Sequence, residues 1–375
     1  MLLLLPLLLT AGAFAPDEDP ATRAIVNGRP ADGDFPAAVA LGIQFGERAM
    51  STCSASLITP QVLLTAAHCT AEFGVPVESV EQFGRAFFGD NVQQADRVVG
   101  FQRIINHPNY QGQTGAAGVP ANDIGVIILN EPVTDVEPVW VNFRPLVPSD
   151  VGTRITSVGF GITGAGNQDS GGIKRVGNLV LDGVEGAFDI PGIPAVMTAG
   201  YGDFVVSLSS STNRGSNVCS GDSGGPQYWE RPNGRYEQIA VHSWADRDCR
   251  FMSGSTRTDL FEAFIMRHVS STHDGLTDIC EINGRYSDGI CDTECEGFDP
   301  DCAEPELAAP IYGEGVDACE AQGRYGDGVC HADCPSRDPD CPAGCTVTPG
   351  VPAASTLFGL LAVLGWRRRR DGLVG

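Results

Sequence analysis

Between about Ile25 and about Ser271 the sequence predicts an all-β barrel or sandwich, on three observations. Short apolar and β-branched runs recur, among them Ala37–Ile43, Gln61–Thr65, Ile124–Leu129, Arg154–Val158, Phe204–Leu208 and Gln238–Val241. Glycine and proline turn signals separate them, as many short strands require. Helical periodicity surfaces in Asp259–His268, where Leu260, Phe261, Phe264 and Ile265 share one face and predict a closing helix.

The other elements follow in chain order. Leu2–Leu9 is an apolar run too short to span a bilayer, and it ends at Ala13-Phe14-Ala15, a small-x-small cleavage pattern. Residues 1–15 therefore read as a secretory signal peptide and 16–24 as a propeptide, ahead of a domain over 25–271. Past it, Cys280, Cys291, Cys295 and Cys302 reappear at a constant displacement as Cys319, Cys330, Cys334 and Cys341. Units this short bury no real core and need covalent staples. Residues 280–302 and 319–341 are thus two small disulfide-stapled repeats, and the acidic stretch 303–318 is a linker. In the segment 345–370, Cys345 precedes a polar spacer, the apolar run Ser355–Trp366 and the block Arg367–Arg370. The run is shorter than the ~20 residues of a spanning helix, but a basic block just behind it is a retention pattern.

Composition narrows the function. The 375 residues exceed one comfortable domain, and 13 cysteines fit an oxidising compartment. An excess of 47 acidic over 24 basic residues argues against nucleic acid as a partner.

Chemistry concentrates in three short segments. Ser223, in Cys219-Ser220-Gly221-Asp222-Ser223-Gly224-Gly225-Pro226, sits on a backbone that must turn sharply. Such a turn is often only a turn, but it also exposes Oγ and aims successive N–H groups at one point, as acyl transfer needs. A serine nucleophile needs a base, and His68 stands in the apolar run Leu63–Ala67, followed by Cys69. A histidine there is either a satisfied core residue or that base. Cys53 lies upstream at a spacing suited to stapling the loop to Cys69. Asp123 enters the buried run Ile124–Leu129, where an unpartnered carboxylate is costly.

Leu64–Cys69, Asp123–Leu129 and Cys219–Pro226 resemble the three signature motifs of the trypsin/chymotrypsin-like serine endopeptidases, in that family's order of His, Asp and Ser. Ile25-Val26-Asn27-Gly28 resembles the activated N-terminus, Asn106–Tyr110 the loop before the aspartate, Gly159-Phe160-Gly161 a mid-chain turn, and Ser243-Trp244 the substrate-binding strand. The resemblance covers about Ile25 to Ser271.

It implies two packed six-stranded antiparallel β-barrels with a C-terminal helix and the site in the cleft between the barrels. Ser223 is then the nucleophile, His68 the base and acid, Asp123 its orienting carboxylate, and the amides of Gly221 and Ser223 the oxyanion hole. Cys53–Cys69 and Cys219–Cys249 match two family disulfides. Ile25 and Asp222 are the family's activation ion pair, but Arg23-Ala24-Ile25 places an alanine between the basic residue and the isoleucine. Asn217 takes the pocket-floor position where trypsin-like members carry aspartate. His242, Ser243, Trp244 and Ala245 line the walls, and His242 occupies a place where glutamate-specific relatives also carry histidine. These residues predict a non-tryptic pocket for small, polar or apolar side chains, with acidic ones as the alternative. Polypeptide substrates and proteinaceous inhibitors are the expected partners, and the reaction requires no cofactor. The same fold also serves non-catalytic binding or display proteins; those usually lose a triad member, and this chain keeps all three.

The repeats resemble in part the calcium-binding repeats of Notch-type receptors. Asp288, Asp299 and Asp301 recur as Asp327, Asp338 and Asp340, the candidate calcium ligands; the other reading is a solvated spacer. The tail resembles the C-terminal sorting signals of myxobacterial-type surface proteins, which implies secretion followed by tethering to the cell surface or outer membrane.

Overall fold

Buried β-branched runs and tight turns build the fold. A computed structural model describes residues 25–302 except 47, 72–76, 113–118, 185–202, 212–214, 232–233, 293–294, 296 and 298. The expected signal peptide, propeptide, linker, second repeat and tail lie outside the described residues. The chain divides into two compact units after Cys302, and the first of them holds the expected domain and the first repeat.

Six strands close the first barrel: β2 (Ala38–Phe45), β3 (Arg48–Thr59), β4 (Val62–Thr65), β5 (Gly84–Phe88), β6 (Arg97–Asn106) and β7 (Gly125–Leu129). Their order is β2-β3-β4-β7-β6-β5, and β2 pairs back onto β5. Every residue of β4 and β7 is buried, because both strands face the core on one side and are covered on the other. Truncating a side chain such as Leu64 or Ile127, both fully buried, costs about 2–5 kcal/mol.

The second sheet is consistent with the second expected barrel, and among the described residues it forms a half-barrel. It has eight strands: β1 (Arg29–Pro30), β8 (Trp140–Val141), β9 (Arg154–Gly159), β10 (Arg175–Val180), β11 (Phe204–Leu208), β12 (Pro226–Glu230), β13 (Tyr236–Ala245) and β14 (Met252–Arg257). The path β1-β10-β9-β12-β13-β14-β11 stays open, with β8 parallel to β13. The chain beyond β10 stitches to β11 through one isolated bridge, Gly183 to Val206, and a hydrogen bond from Ser207 Oγ to the Val180 carbonyl (2.7 Å). This is a half-barrel closed by a stitch instead of a ladder. Ser56 Oγ, buried in β3, donates to Gln238 Oε1 in β13 at 2.5 Å and ties the two halves together.

The C-terminal helix runs over Glu262–Thr272, three residues later than the periodicity predicts. Asp259, the expected start, is taken by Arg257 in a buried two-pronged pair (2.9 and 2.5 Å) and by the Leu146 amide (2.9 Å). Its carboxylate is held by those partners, and the helix starts after Phe261 with no side-chain cap. Ile265 and Val269 bury the helix face against the first barrel.

The first repeat is part of this unit. Cys280–Cys295 and Cys291–Cys302 staple it. Asn283 Nδ2 donates to the Ile58 carbonyl (3.0 Å) and Arg285 Nη2 to the Pro138 carbonyl (2.8 Å). Ile279 and Ile282 pack onto the first-barrel core. No helix among the described residues is long and apolar enough to cross a membrane.

Candidate active site

Each of the three chemical segments enters the cleft where a buried strand ends. β4 runs through buried Ala66 and Ala67 into the short helix His68–Ala71, which turns the His68 ring outward. Cys53–Cys69 anchors that turn. Asp123 precedes β7 and is fully buried. Its Oδ2 lies 2.7 Å from His68 Nδ1, and its Oδ1 accepts the His68 backbone amide at 2.9 Å. Two bonds to one residue fix both the backbone and the ring.

The Ser223 turn is glycine-dependent for a steric reason. Gly221 and Gly224 have φ of +93° and +81°. A Cβ on Gly224 would lie 2.2 Å from Thr65 Oγ1, and one on Gly221 2.8 Å from the Gly161 Cα. The turn is therefore pressed against both β-units, pinned by Gly224 N–H to the His242 carbonyl and Ser54 N–H to the Ser223 carbonyl (2.8 and 2.7 Å). The amides of Gly221 and Ser223 donate to no described residue. His68 and Ser223 line one cavity of ≈ 360 Å³. The sequence-predicted nucleophile, base and carboxylate thus come together, with two backbone donors beside the serine.

Comparison with known proteins agrees with this geometry. Residues 25–261 match the family model described as Trypsin. The chain belongs to the trypsin family. It is 24% identical to venom serine protease 34 of Apis mellifera over 59% of this chain and 52% of that protein. It is 27% identical to transmembrane protease serine 9 of Rattus norvegicus, covering 59% of this chain and 19% of that one. With the chymotrypsin-like serine proteinase of Haliotis rufescens the identity is 30%, over 52% of this chain and 73% of that protein. The chain therefore spans about half or less of the first two relatives.

Of the expected pocket residues, His242, Ser243, Trp244 and Ala245 line this cavity and Asn217 does not. Asn217 is fully buried; its Oδ1 accepts the Val218 amide (3.0 Å) and its Nδ2 donates to Asp246 Oδ1 (3.4 Å). His242 is also buried, with Nδ1 3.1 Å from Ser255 Oγ. Burial pushes its pKa down to about 3, against the opposing pull of the Val158 carbonyl, so the ring is neutral. Ser243 does not offer its hydroxyl to the cavity: Oγ donates to Asp123 Oδ2 at 2.6 Å. The Trp244 indole lies on Gly254, where a Cβ would come within 2.3 Å of the ring. Ala245 joins the cavity wall, as do Asp246 and Arg247, which sequence reasoning passed over. The Asp246-Arg247-Asp248 step directly after the Trp244 strand is the sequence signal that marks them.

Ile25 and Asp222, the expected activation pair, share no hydrogen bond or ion pair among the described residues. Ile25 is buried among Leu146, Ile155 and Leu179, and the Val26 amide donates to the Asn217 carbonyl (2.8 Å). Asp222 is fully buried, accepts the Gly161 and Cys219 amides (both 2.8 Å), and makes no ion pair among the described residues. Burial pushes its carboxyl up to about 7, while those amides and the Arg175 guanidinium pull it back. Ile25 is joined to Ala24 by an amide, which carries no charge to offer Asp222.

The candidate calcium ligands of the first repeat serve other partners. Asp288 pairs with Arg235 (2.5 Å), Asp299 accepts the Asp292 and Asp301 amides (2.7 and 3.1 Å), and Asp301 accepts the Gly289 amide (2.7 Å). Asp327, Asp338 and Asp340 lie outside the described residues. Among the described residues, the cluster with metal-ligand spacing is Cys53, His68 and Cys69. Its sulfurs form a disulfide, so no thiolate is there to bind a metal.

Proposed function

We propose that this chain is a secreted serine endopeptidase that hydrolyses peptide bonds through His68, Asp123 and Ser223. The observation that carries the reading is His68 Nδ1 held 2.7 Å from buried Asp123 while Ser223 shares the cavity. Asp123 fixes the tautomer: Nδ1 carries the proton and Nε2 presents its lone pair. Ser223 Oγ attacks the substrate carbonyl carbon as His68 takes its proton. The Gly221 and Ser223 amides receive the developing oxyanion. Collapse breaks the C–N bond, and His68 hands its proton to the leaving amine. Water, activated by the same histidine, then hydrolyses the acyl-enzyme.

A fluorophosphonate probe tests this on the purified protein. Labelling of the active chain and none of Ser223→Ala is expected; equal labelling makes the chain a non-catalytic member of its family.

Asn217 supports a pocket without tryptic specificity. Asn217 brings no charge to meet a substrate guanidinium, and the nearby Asp246 carboxylate is committed to four backbone amides, so such a cation stays poorly compensated, at a cost of several kcal/mol. Neutral His242 favours small, polar or apolar side chains over acidic ones. On matched substrates ending in Arg, Leu, Ala and Glu, the expected kcat/KM is lowest for Arg, and a clear preference for Arg refutes a non-tryptic pocket. The tail supports display on the outer cell surface, or release by cleavage near Gly344-Cys345. Mass spectrometry of the mature C-terminus checks it, and an intact Gly375 on freely soluble extracellular protein counts against tethering.

A further inference from the structure

The loop from Asp246 to Met252 takes no part in the acyl-transfer chemistry, yet it is the most tightly organised stretch of the cavity wall. Asp246 accepts the backbone amides of Asp248, Arg250, Phe251 and Met252 at 2.7–3.2 Å. Burial raises the Asp246 carboxyl, but the four amides outweigh it and hold the pKa below the ordinary carboxylate range. Its charge is spent inward on the backbone. Cys219–Cys249 locks the same loop to the Ser223 segment. On this fixed frame Arg247 stands exposed, lines the cavity that holds His68 and Ser223, and makes no ion pair among the described residues. The opposite charge on the loop, exposed Asp248, forms no ion pair with it.

The neighbouring strand shows how a substrate reaches Arg247. β12 begins at Pro226, opposite Val241, so Ser243–Ala245 of β13 have β14 on one side and, among the described residues, no strand on the other. A free edge of this kind accepts an extended peptide as an added strand. The His242 end of that edge touches the Ser223 turn, through the Gly224 amide. At about 3.3 Å per residue, a peptide laid antiparallel from Ser223 along Ser243–Ala245 comes level with Arg247 three or four residues before the scissile bond.

We propose that Arg247 forms a subsite for an acidic substrate side chain three or four residues before the scissile bond. The proposal rests on the endopeptidase reading and adds a substrate class to it. The loop backbone that carries the guanidinium is fixed and the guanidinium has no ion-pair partner among the described residues, so a carboxylate arriving there displaces water and not a rival carboxylate. The chain's net charge of −23 favours basic peptides at long range, so the contribution of Arg247 is read from the change between enzyme variants.

The test uses the full chain and peptides that differ only in Glu, Gln or Lys at that position. The expected Glu-to-Lys ratio of kcat/KM falls at least about fivefold from wild type to Arg247→Glu, the scale of an exposed ion pair. The difference shrinks when salt rises to about 0.5 M, where screening acts within a few ångströms. An equal ratio in wild type and Arg247→Glu overturns the subsite. Failure of the endopeptidase reading looks different: no peptide is cleaved and Ser223 is not labelled by fluorophosphonate, and the subsite falls with it.

Discussion

Asp123→Asn lowers kcat by about 10⁴-fold while leaving the protein folded. The size follows from the two bonds Asp123 makes to one residue. Its Oδ2 holds His68 Nδ1 at 2.7 Å and its Oδ1 holds the His68 amide at 2.9 Å. An amide of the same shape can turn its NH₂ toward Nδ1. The imidazole then moves its proton to Nε2, the face that must take the Ser223 proton, and it loses the buried charge that stabilises the imidazolium. Ser243 makes the substitution more disruptive, because its hydroxyl donates 2.6 Å to the same Oδ2. Ser243→Ala, which removes only that supporting bond, costs far less, on the order of tenfold. Steady-state kinetics on one good peptide substrate, with thermal melting alongside, checks both. A kcat within tenfold of wild type for Asp123→Asn at unchanged Tm removes Asp123 from the machinery.

The parts of this design that the sequence announces are those carried by local pattern. Ile124–Leu129 and Gln61–Thr65 are apolar runs bounded by polar turns, and they become β7 and β4 nearly as read. Ser223 is legible because glycines on both sides are a steric demand, visible in the structure as the closeness of Thr65 and Gly161. What stays hidden depends on partners far along the chain. The helix begins late because Arg257 and Leu146 compete for Asp259, and no window around residue 259 contains Leu146. Ser243 reads as a substrate contact, yet its hydroxyl belongs to Asp123, 120 positions away. The second sheet closes by a bridge at Gly183 and Val206, a detail that strand-length periodicity does not encode. The first repeat reads as an independent stapled unit, because its cysteine spacing says nothing about the surface it meets.

That surface sets the second large effect: Arg285→Ala destabilises the described unit by about 3 kcal/mol, at the scale of breaking a buried ion pair. Arg285 is 4% exposed. Its guanidinium stacks over Trp140 at 5.3 Å and donates to the Pro138 carbonyl at 2.8 Å. It also stands 3.6 Å from Asp292 and 3.8 Å from Glu137, beside Arg235, which pairs with Glu137, Asp288 and Asp292. Burial lowers the Arg285 pKa, and Arg235 adds to that, while Asp292, Glu137 and Asp288 oppose it. Two cations and three carboxylates thus bridge the repeat to the half-barrel. Removing one cation leaves Asp292, 7% exposed, with Arg235 as its remaining cation among the described residues, and strips the cover from Trp140. Arg285→Lys keeps the charge but loses the planar stack and the fixed fork, so it recovers only part of the loss. The site lies elsewhere, so kcat measured well below the transition stays near wild type. Thermal melting of the Ser223→Ala protein, which cannot digest itself, gives the comparison. A drop in Tm of several degrees for Arg285→Ala is expected, with Arg285→Lys in between. An unchanged Tm makes the first repeat an appendage, and agreement between the two variants assigns the loss to the planar stack and fork and removes any stabilising role for the charge.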